Sequence, residues 1–195
     1  MAIMSEEFIT VKGARIRVIR EGQGKPVFLF HGARFTADTW VSTGTVKAIA
    51  DAGFQAISVD FPGYGKSERG NYTILSEFIR DLVQTLGVTR AYYLGASMGG
   101  EAVLGFALNN PEKVEGVILV GAVGVDKYKE KLVYLSGKKV LLIWGKEDTV
   151  APIKNAKLIT DAVPTAKLVY VGRQHACYLD DPEGFNKEII NFLKG

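Results

Sequence analysis

The stretch Ala91-Tyr92-Tyr93-Leu94-Gly95-Ala96-Ser97-Met98-Gly99-Gly100-Glu101-Ala102-Val103-Leu104 decides how the chain folds. It opens as a short apolar run, turns through small residues and continues as a helical pattern up to Asn109. A run with no polar alternation predicts a strand buried on both faces. Gly95-Ala96-Ser97-Met98-Gly99 then falls on a tight strand-to-helix reversal with the serine at its tip. Glycines are needed on either side because side chains there would strike the neighbouring strand or helix. The helix beginning at Met98 points its N-terminus at the turn, which favours negative charge there. Such a G-x-S-x-G turn presents a nucleophilic serine at the edge of a sheet. The plainer alternative is a glycine-rich packing turn with an ordinary surface serine.

Apolar runs of the same kind recur on both sides: Val27–Phe30, Ala56–Val59, Val117–Val120, Val140–Trp144 and Leu168–Val171. Phe8–Val11 and Arg15–Ile19 read as an opening hairpin that turns near Lys12-Gly13. Helical periods fill the intervals at Thr39–Ala52, Leu75–Leu86, Met98–Asn109, Ile153–Ala162 and Pro182–Leu193. Gly53 and Gly87 follow two of them, Pro111 stops another, and Asp181-Pro182 offers an N-cap and a first-turn proline. Strands alternating with helices predict an open α/β sandwich with a mostly parallel sheet. No linker or repeat interrupts it, and 195 residues suit one domain spanning positions 1–195.

Composition narrows the function classes. Hydrophobic residues make up 47% and charged residues 23%, the profile of a folded chain rather than a disordered one. The net charge of +3 is spread along the sequence, so no nucleic-acid partner is expected. Apolar runs of about half a dozen residues fall far short of the roughly 20 needed to span a bilayer, so no membrane partner is expected. The single cysteine, Cys177, rules out an intrachain disulfide and suits a reducing compartment. Residues Met1 to Glu7 lack the pattern of a signal peptide, so the expected location is cytoplasmic. A lone cysteine and two histidines in separate motifs form no ligand cluster, and neither a metal nor an organic cofactor is expected.

In parallel sheets functional groups gather at the carboxyl ends of strands, so the residues after each strand carry the chemistry. A serine hydroxyl needs a base within hydrogen-bond reach. His175, after the last strand, suits the chain order nucleophile, acid, base; His31, after an early strand, suits bracing of a loop. The base needs a carboxylate to hold its tautomer. Asp148 follows Val140–Trp144 and is the first choice, with Asp126 and Glu147 as rivals. The backbone N–H groups of Met98 and, by position, Ala33 are candidate oxyanion donors. Phe35, Trp40 and Tyr64 could line the site or belong to the core, and Cys177 reads as an inert buried thiol. Gly63-Tyr64-Gly65-Lys66-Ser67 ends like a phosphate-binding loop, but Asp60 stands where that motif needs its first glycine.

Together the elbow, His31-Gly32, Asp60-Phe61-Pro62-Gly63-Tyr64-Gly65-Lys66-Ser67, the Gly145-to-Asp148 turn and the His175 loop resemble alpha/beta-hydrolases over nearly the whole chain. His31-Gly32-Ala33-Arg34-Phe35 running on to Thr39-Trp40, with His175-Ala176-Cys177-Tyr178-Leu179-Asp180-Asp181-Pro182-Glu183, is similar to the small lidless branch called alpha/beta-hydrolase domain-containing protein 14. The branch often has a serine-rich elbow where this chain has Gly-Ala-Ser-Met-Gly-Gly. The resemblance implies an eight-stranded, mostly parallel sheet with its second strand antiparallel. It also implies a Ser97, Asp148 and His175 triad with oxyanion donors from Ala33 and Met98. Members are regarded as esterases or deacylases. The expected activity is cleavage of small carboxylic esters through an acyl-enzyme on Ser97. Its rivals are transfer of the acyl group to a thiol acceptor, protein deacylation, and a non-catalytic binding module. Residues 124–139 leave room for one short helix around Tyr128–Leu135 and for no cap domain.

Overall fold

The computed structural model of the protein describes residues 4–195. Strands β1 (Ser5–Val11) and β2 (Ala14–Glu21) form an antiparallel hairpin turning at Lys12-Gly13. β3 (Pro26–Phe30), β4 (Gln55–Val59), β5 (Ala91–Ala96), β6 (Val114–Val120), β7 (Lys139–Trp144) and β8 (Lys167–Tyr170) follow. They make an eight-stranded sheet in the order β1-β2-β4-β3-β5-β6-β7-β8, with β2 antiparallel to both neighbours and the later strands mutually parallel. Helices α1 (Asp38–Ser42), α2 (Thr45–Asp51), α3 (Leu75–Thr85), α4 (Met98–Asn109), α5 (Lys154–Ala162), α6 (Cys177–Asp180) and α7 (Pro182–Lys194) cover both faces, and among the described residues no cap domain is inserted.

The period of two along each strand sorts the core into halves. Phe28, Phe30, Tyr93, Val117, Leu119, Leu142 and Trp144 face α3, α4 and α5. Val27, Leu29, Leu94, Ile118, Val120, Leu141 and Ile143 face Trp40, Val46 and Ile49 of α1 and α2 and Phe185, Ile189 and Leu193 of α7. Each such fully buried side chain contributes about 1.5–3 kcal/mol. Helix α4 is apolar nearly all round because it is packed from several sides, with Val103, Leu104 and Phe106 fully buried.

Two expected helices take another form, and the short α6 was not expected at all. The helix expected over Thr39–Ala52 is broken into α1 and α2 at Thr43-Gly44, where Gly44 has φ 77°. The short helix expected around Tyr128–Leu135 is instead a run of 3-10 turns over Val125–Leu135. Its apolar residues Val125, Tyr128, Leu132 and Leu135 lie mostly three apart, which suits a three-residue turn. Among the described residues, no helix is long and apolar enough to cross a membrane.

Register places the site. Phe30 pairs with Gly95, Ala96 with Val120, Val120 with Ile143, and Trp144 with Tyr170. The loops after these strands therefore open along one edge of the sheet. The chain leaves β3 for β4 on one side and reaches β5 on the other, which opens a crevice at the carboxyl ends of β3 and β5.

Candidate active site

Ser97 sits at the tip of the turn between β5 and α4 with φ 54° and ψ −112°, a conformation that L-residues avoid. Close packing forces the turn. A Cβ on Gly95 would strike the carbonyl of Gly99, and one on Gly99 would lie 2.6 Å from the Phe30 carbonyl oxygen. The Ser97 N–H donates to the Val120 carbonyl at 2.9 Å, tying the tip to the next strand, and the Ser97 carbonyl accepts from Glu101 N–H at 3.1 Å to start the helix.

The side chain of Ser97 meets His175 across the crevice, with Oγ 2.9 Å from Nε2. On the far side of the ring, Nδ1 lies 2.8 Å from Oδ2 of Asp148. A carboxylate only accepts, so Nδ1 carries the proton and Nε2 is free to accept from Oγ–H. Oδ1 of Asp148 accepts from the N–H groups of Val150 and Ala151, each at 2.8 Å, which fixes the carboxylate while it faces the ring. The Asp148 side chain is 1% exposed against 24% for His175, so the carboxylate is sealed and the imidazole reaches the cleft. The rivals stand elsewhere: Glu147 pairs with Arg173 at 2.7 Å on the surface, and Asp126 is exposed at the start of the 3-10 run.

His31 is buried and held between backbone groups. Its Nε2 accepts from Phe61 N–H at 3.0 Å, so Nδ1 bears the proton and donates to the Gly32 carbonyl at 2.7 Å. Burial lowers its pKa below the ordinary histidine value, which keeps it neutral in this role. The loop it braces lies against the elbow, a Cβ on Gly32 falling 3.5 Å from Ser97 Cβ. Among the described residues, neither Ala33 N–H nor Met98 N–H is hydrogen-bonded within the protein. Tyr64 Oη–H donates to Met98 Sδ at 3.3 Å.

A cavity of about 430 Å³ opens in front of Ser97 and His175, walled by Ala33, Arg34, Phe35, Val150 and Tyr178. A second hollow of about 380 Å³ lies beyond Met98, between Ile74, Tyr128 and the Glu101–Lys127 ion pair. Trp40 belongs wholly to the core, stacked on Phe185 at 5.8 Å between ring centroids. Cys177 is sealed beneath the His175 loop, where burial pushes its thiol pKa up to about 12. Among the described residues, no group of three or more His, Cys, Asp or Glu side chains could hold a metal ion.

Two carboxylates that position these loops escaped the sequence reading. Asp180 accepts from the N–H groups of Arg173 at 2.9 Å and Gln174 at 2.8 Å, which shapes the approach to His175. Those bonds, Gln174's first, hold its pKa below the usual carboxylate value. Its neighbour Asp181 caps α7 through Gly184 N–H at 2.9 Å, and nothing in the local pattern tells the two apart. Asp60 accepts from Ala37 N–H at 2.7 Å and Lys66 N–H at 2.8 Å, so one buried carboxylate ties the loop after β3 to the loop after β4. The signal was present, because Asp60 is the residue that spoils the phosphate-loop match.

Known proteins share this arrangement of strands and loops. Residues 25–128 match the family model described as alpha/beta hydrolase fold. Protein ABHD14A of Danio rerio is 29% identical over 85% of this chain and 63% of its own length. ABHD14B of Rattus norvegicus, named as a candidate protein-lysine deacylase, is 27% identical over 98% of this chain and 96% of its own length. The crystal structure of a protein described as a predicted CIB-like hydrolase from Thermoplasma acidophilum superposes with TM-score 0.93 at 32% identity, covering 100% of this chain and 99% of that one. With more than half of its residues under the family model and a structural relative matched from end to end, this chain belongs to the alpha/beta-hydrolase family.

Proposed function

We propose that the protein is a serine hydrolase that cleaves small carboxylic esters through an acyl-enzyme on Ser97. The observation that carries this reading is the continuous hydrogen-bonded chain from Ser97 Oγ through His175 to Asp148, beside two unengaged backbone N–H groups. In the first step His175 Nε2 takes the Oγ proton as Oγ bonds to the ester carbonyl carbon. The carbonyl oxygen becomes an oxyanion received by Ala33 and Met98 N–H; a single such donor is worth about 10²–10³ in rate. Asp148 stabilises the imidazolium without taking its proton. The tetrahedral species collapses, the carbon–oxygen bond to the alcohol breaks, and His175 gives that oxygen its proton. Water then enters, loses a proton to His175 and adds to the acyl carbon. Collapse releases the carboxylic acid and returns the proton to Ser97.

The name carried by the rat relative supports a second reading, in which the acyl donor is an acylated lysine amide; a thiol in place of water would make the same acyl-enzyme a transferase. Both share the acyl-enzyme. Labelling with a fluorophosphonate, with para-nitrophenyl acetate turnover alongside, tests the shared step. The wild type is expected to label and turn over, and Ser97→Ala to do neither, with kcat reduced by about 10⁶. An unlabelled, inactive wild type would remove the acyl-enzyme reading. Acyl-lysine peptides assayed with and without a thiol acceptor then separate the two donors.

A further inference from the structure

We infer that Arg34 is a substrate-recognition residue that binds a carboxylate carried by the ester, so that the preferred substrates are anionic. The inference rests on the ester-hydrolase reading and names the substrate class of that same site.

Position comes first. Phe35 N–H donates to the Gly32 carbonyl at 3.1 Å, which makes Ala33 and Arg34 the two central residues of a turn. The His31 Nδ1–H bond to the same carbonyl pins the base of that turn. Arg34 is thus adjacent in sequence to a candidate oxyanion donor, and it is among the residues that line the cavity containing Ser97 and His175.

Charge comes second. Two other arginines already have partners: Arg17 is gripped by Asp60, Asp38 and Glu6, and Arg173 by Glu147. Among the described residues Arg34 makes neither a side-chain hydrogen bond nor an ion pair, and no Asp or Glu lines the cavity with it. Phe35, Val150, Ala176 and Tyr178 supply mostly apolar walls. Arg34 is exposed, so its unpaired charge is free to meet an anion that enters this mostly apolar cleft. The planar guanidinium fork matches a carboxylate with two parallel N–H bonds. The anion this cavity lacks can arrive with the ligand, and the reacting carbonyl then lies in the same cavity as the charge that holds the molecule.

The carboxylate could sit on the acyl or the alcohol side, and two ester pairs distinguish these. Mono-para-nitrophenyl glutarate is compared with para-nitrophenyl valerate, and para-acetoxybenzoate with para-tolyl acetate. All rates are corrected with Ser97→Ala for spontaneous cleavage. The wild type is expected to favour the anionic member of one pair by about tenfold or more in kcat/KM, a factor typical of a charge-assisted bond. Arg34→Gln is expected to bring that ratio close to one, chiefly through KM. Arg34→Lys should keep part of it. Lys146→Gln, which removes the same charge outside this cavity, should keep all of it. The advantage should also shrink as salt is raised. Direct binding is read separately by NMR titration with glutarate, whose shifts at the cleft should vanish in Arg34→Gln. The inference is overturned by a wild type that hydrolyses both members of each pair equally. It is also overturned by an Arg34→Gln enzyme whose preference is unchanged, or by glutarate shifts that survive the substitution. Turnover of none of the esters strikes the hydrolase reading instead, and the glutarate titration still decides the role of Arg34.

Discussion

Ser97 holds a backbone conformation that costs on the order of 1–3 kcal/mol, and the packing of Gly95 and Gly99 leaves it no other. Substitution should expose that strain. Ser97→Gly admits the positive φ without a Cβ, and is expected to be more stable than the wild type by about 0.5–2 kcal/mol, read by urea unfolding. Ser97→Ala keeps the Cβ and should stay close to the wild type. A glycine variant less stable than the alanine one would mean that the turn stores no strain. At the proposed acid, Asp148→Asn still offers an oxygen to Val150 and Ala151 N–H. It should therefore leave melting nearly unchanged while lowering kcat by about 10³–10⁴, because the amide disfavours the working His175 tautomer. Asp126→Asn should change little; the reverse ranking would move the acid to the loop after β6. The side chains that meet at the candidate site could be singled out in the sequence because each follows an apolar run. The grip of Asp180 on the His175 loop could not, since it depends on where a short helix, α6, returns the chain.

Elements were legible where the signal was local and obscured where a distant partner decided. The break between α1 and α2 is fastened from α7: Thr45 Oγ1–H donates to Asn186 Oδ1 at 2.6 Å, and Asn186 Nδ2–H donates to the Thr43 carbonyl at 2.8 Å. No window around Gly44 contains Asn186, so an uninterrupted helix was the natural local reading. Another long-range device joins β2, the end of β4 and α1. Arg17, 3% exposed, reaches Asp60 at 2.8 Å, Asp38 at 2.9 Å and Glu6 at 3.1 Å. The Arg17 bond holds Asp38 below its ordinary pKa, and bonds from Lys66 and then Arg17 do the same for Glu6. Carboxylates depressed in the folded state stabilise it fully above the unfolded value, near pH 4, and lose that contribution as pH falls through the folded value. Melting temperature should therefore drop as the pH is lowered below about 4. Arg17→Met should flatten that acid limb and cost about 3–5 kcal/mol at neutral pH, because it leaves Asp60 buried without its partner. An unchanged acid limb in the variant would show that other carboxylates control it.

Over the whole molecule, apolar runs alternating with helical periods announced a mostly parallel sheet, whereas the strand order and the sorting of strand residues into two half-cores appear only in the folded chain. What covers the sheet edge was only partly legible. The segment Val125–Leu135 lies down on α4 and α5 as 3-10 turns, with Val125, Leu132 and Leu135 buried, and does not arch over Ser97. With no cap to enclose an acyl chain, affinity should stop rising after a few methylenes, each worth about 0.8 kcal/mol only where it is buried. Aryl esters from acetyl to butyryl are expected to exceed those of about eight carbons or more in kcat/KM, with no jump at the critical micelle concentration. A maximum at decanoyl or dodecanoyl would falsify the open cleft.

In the proposed mechanism the nucleophile, Ser97, and its base, His175, lie 78 positions apart in the chain, and the base belongs to the later part. At about 5–20 residues per second, a ribosome delivers His175 on the order of ten seconds after Ser97. Throughout that interval the growing polypeptide carries a hydroxyl with nothing to deprotonate it, which is chemically an ordinary serine. The base then arrives just ahead of α7, whose Phe185, Ile189 and Leu193 close the second half-core. On that mechanism, reactivity and completion of the fold arrive almost together, and a product of interrupted translation that stops short of residue 175 lacks the base the proposed acylation needs.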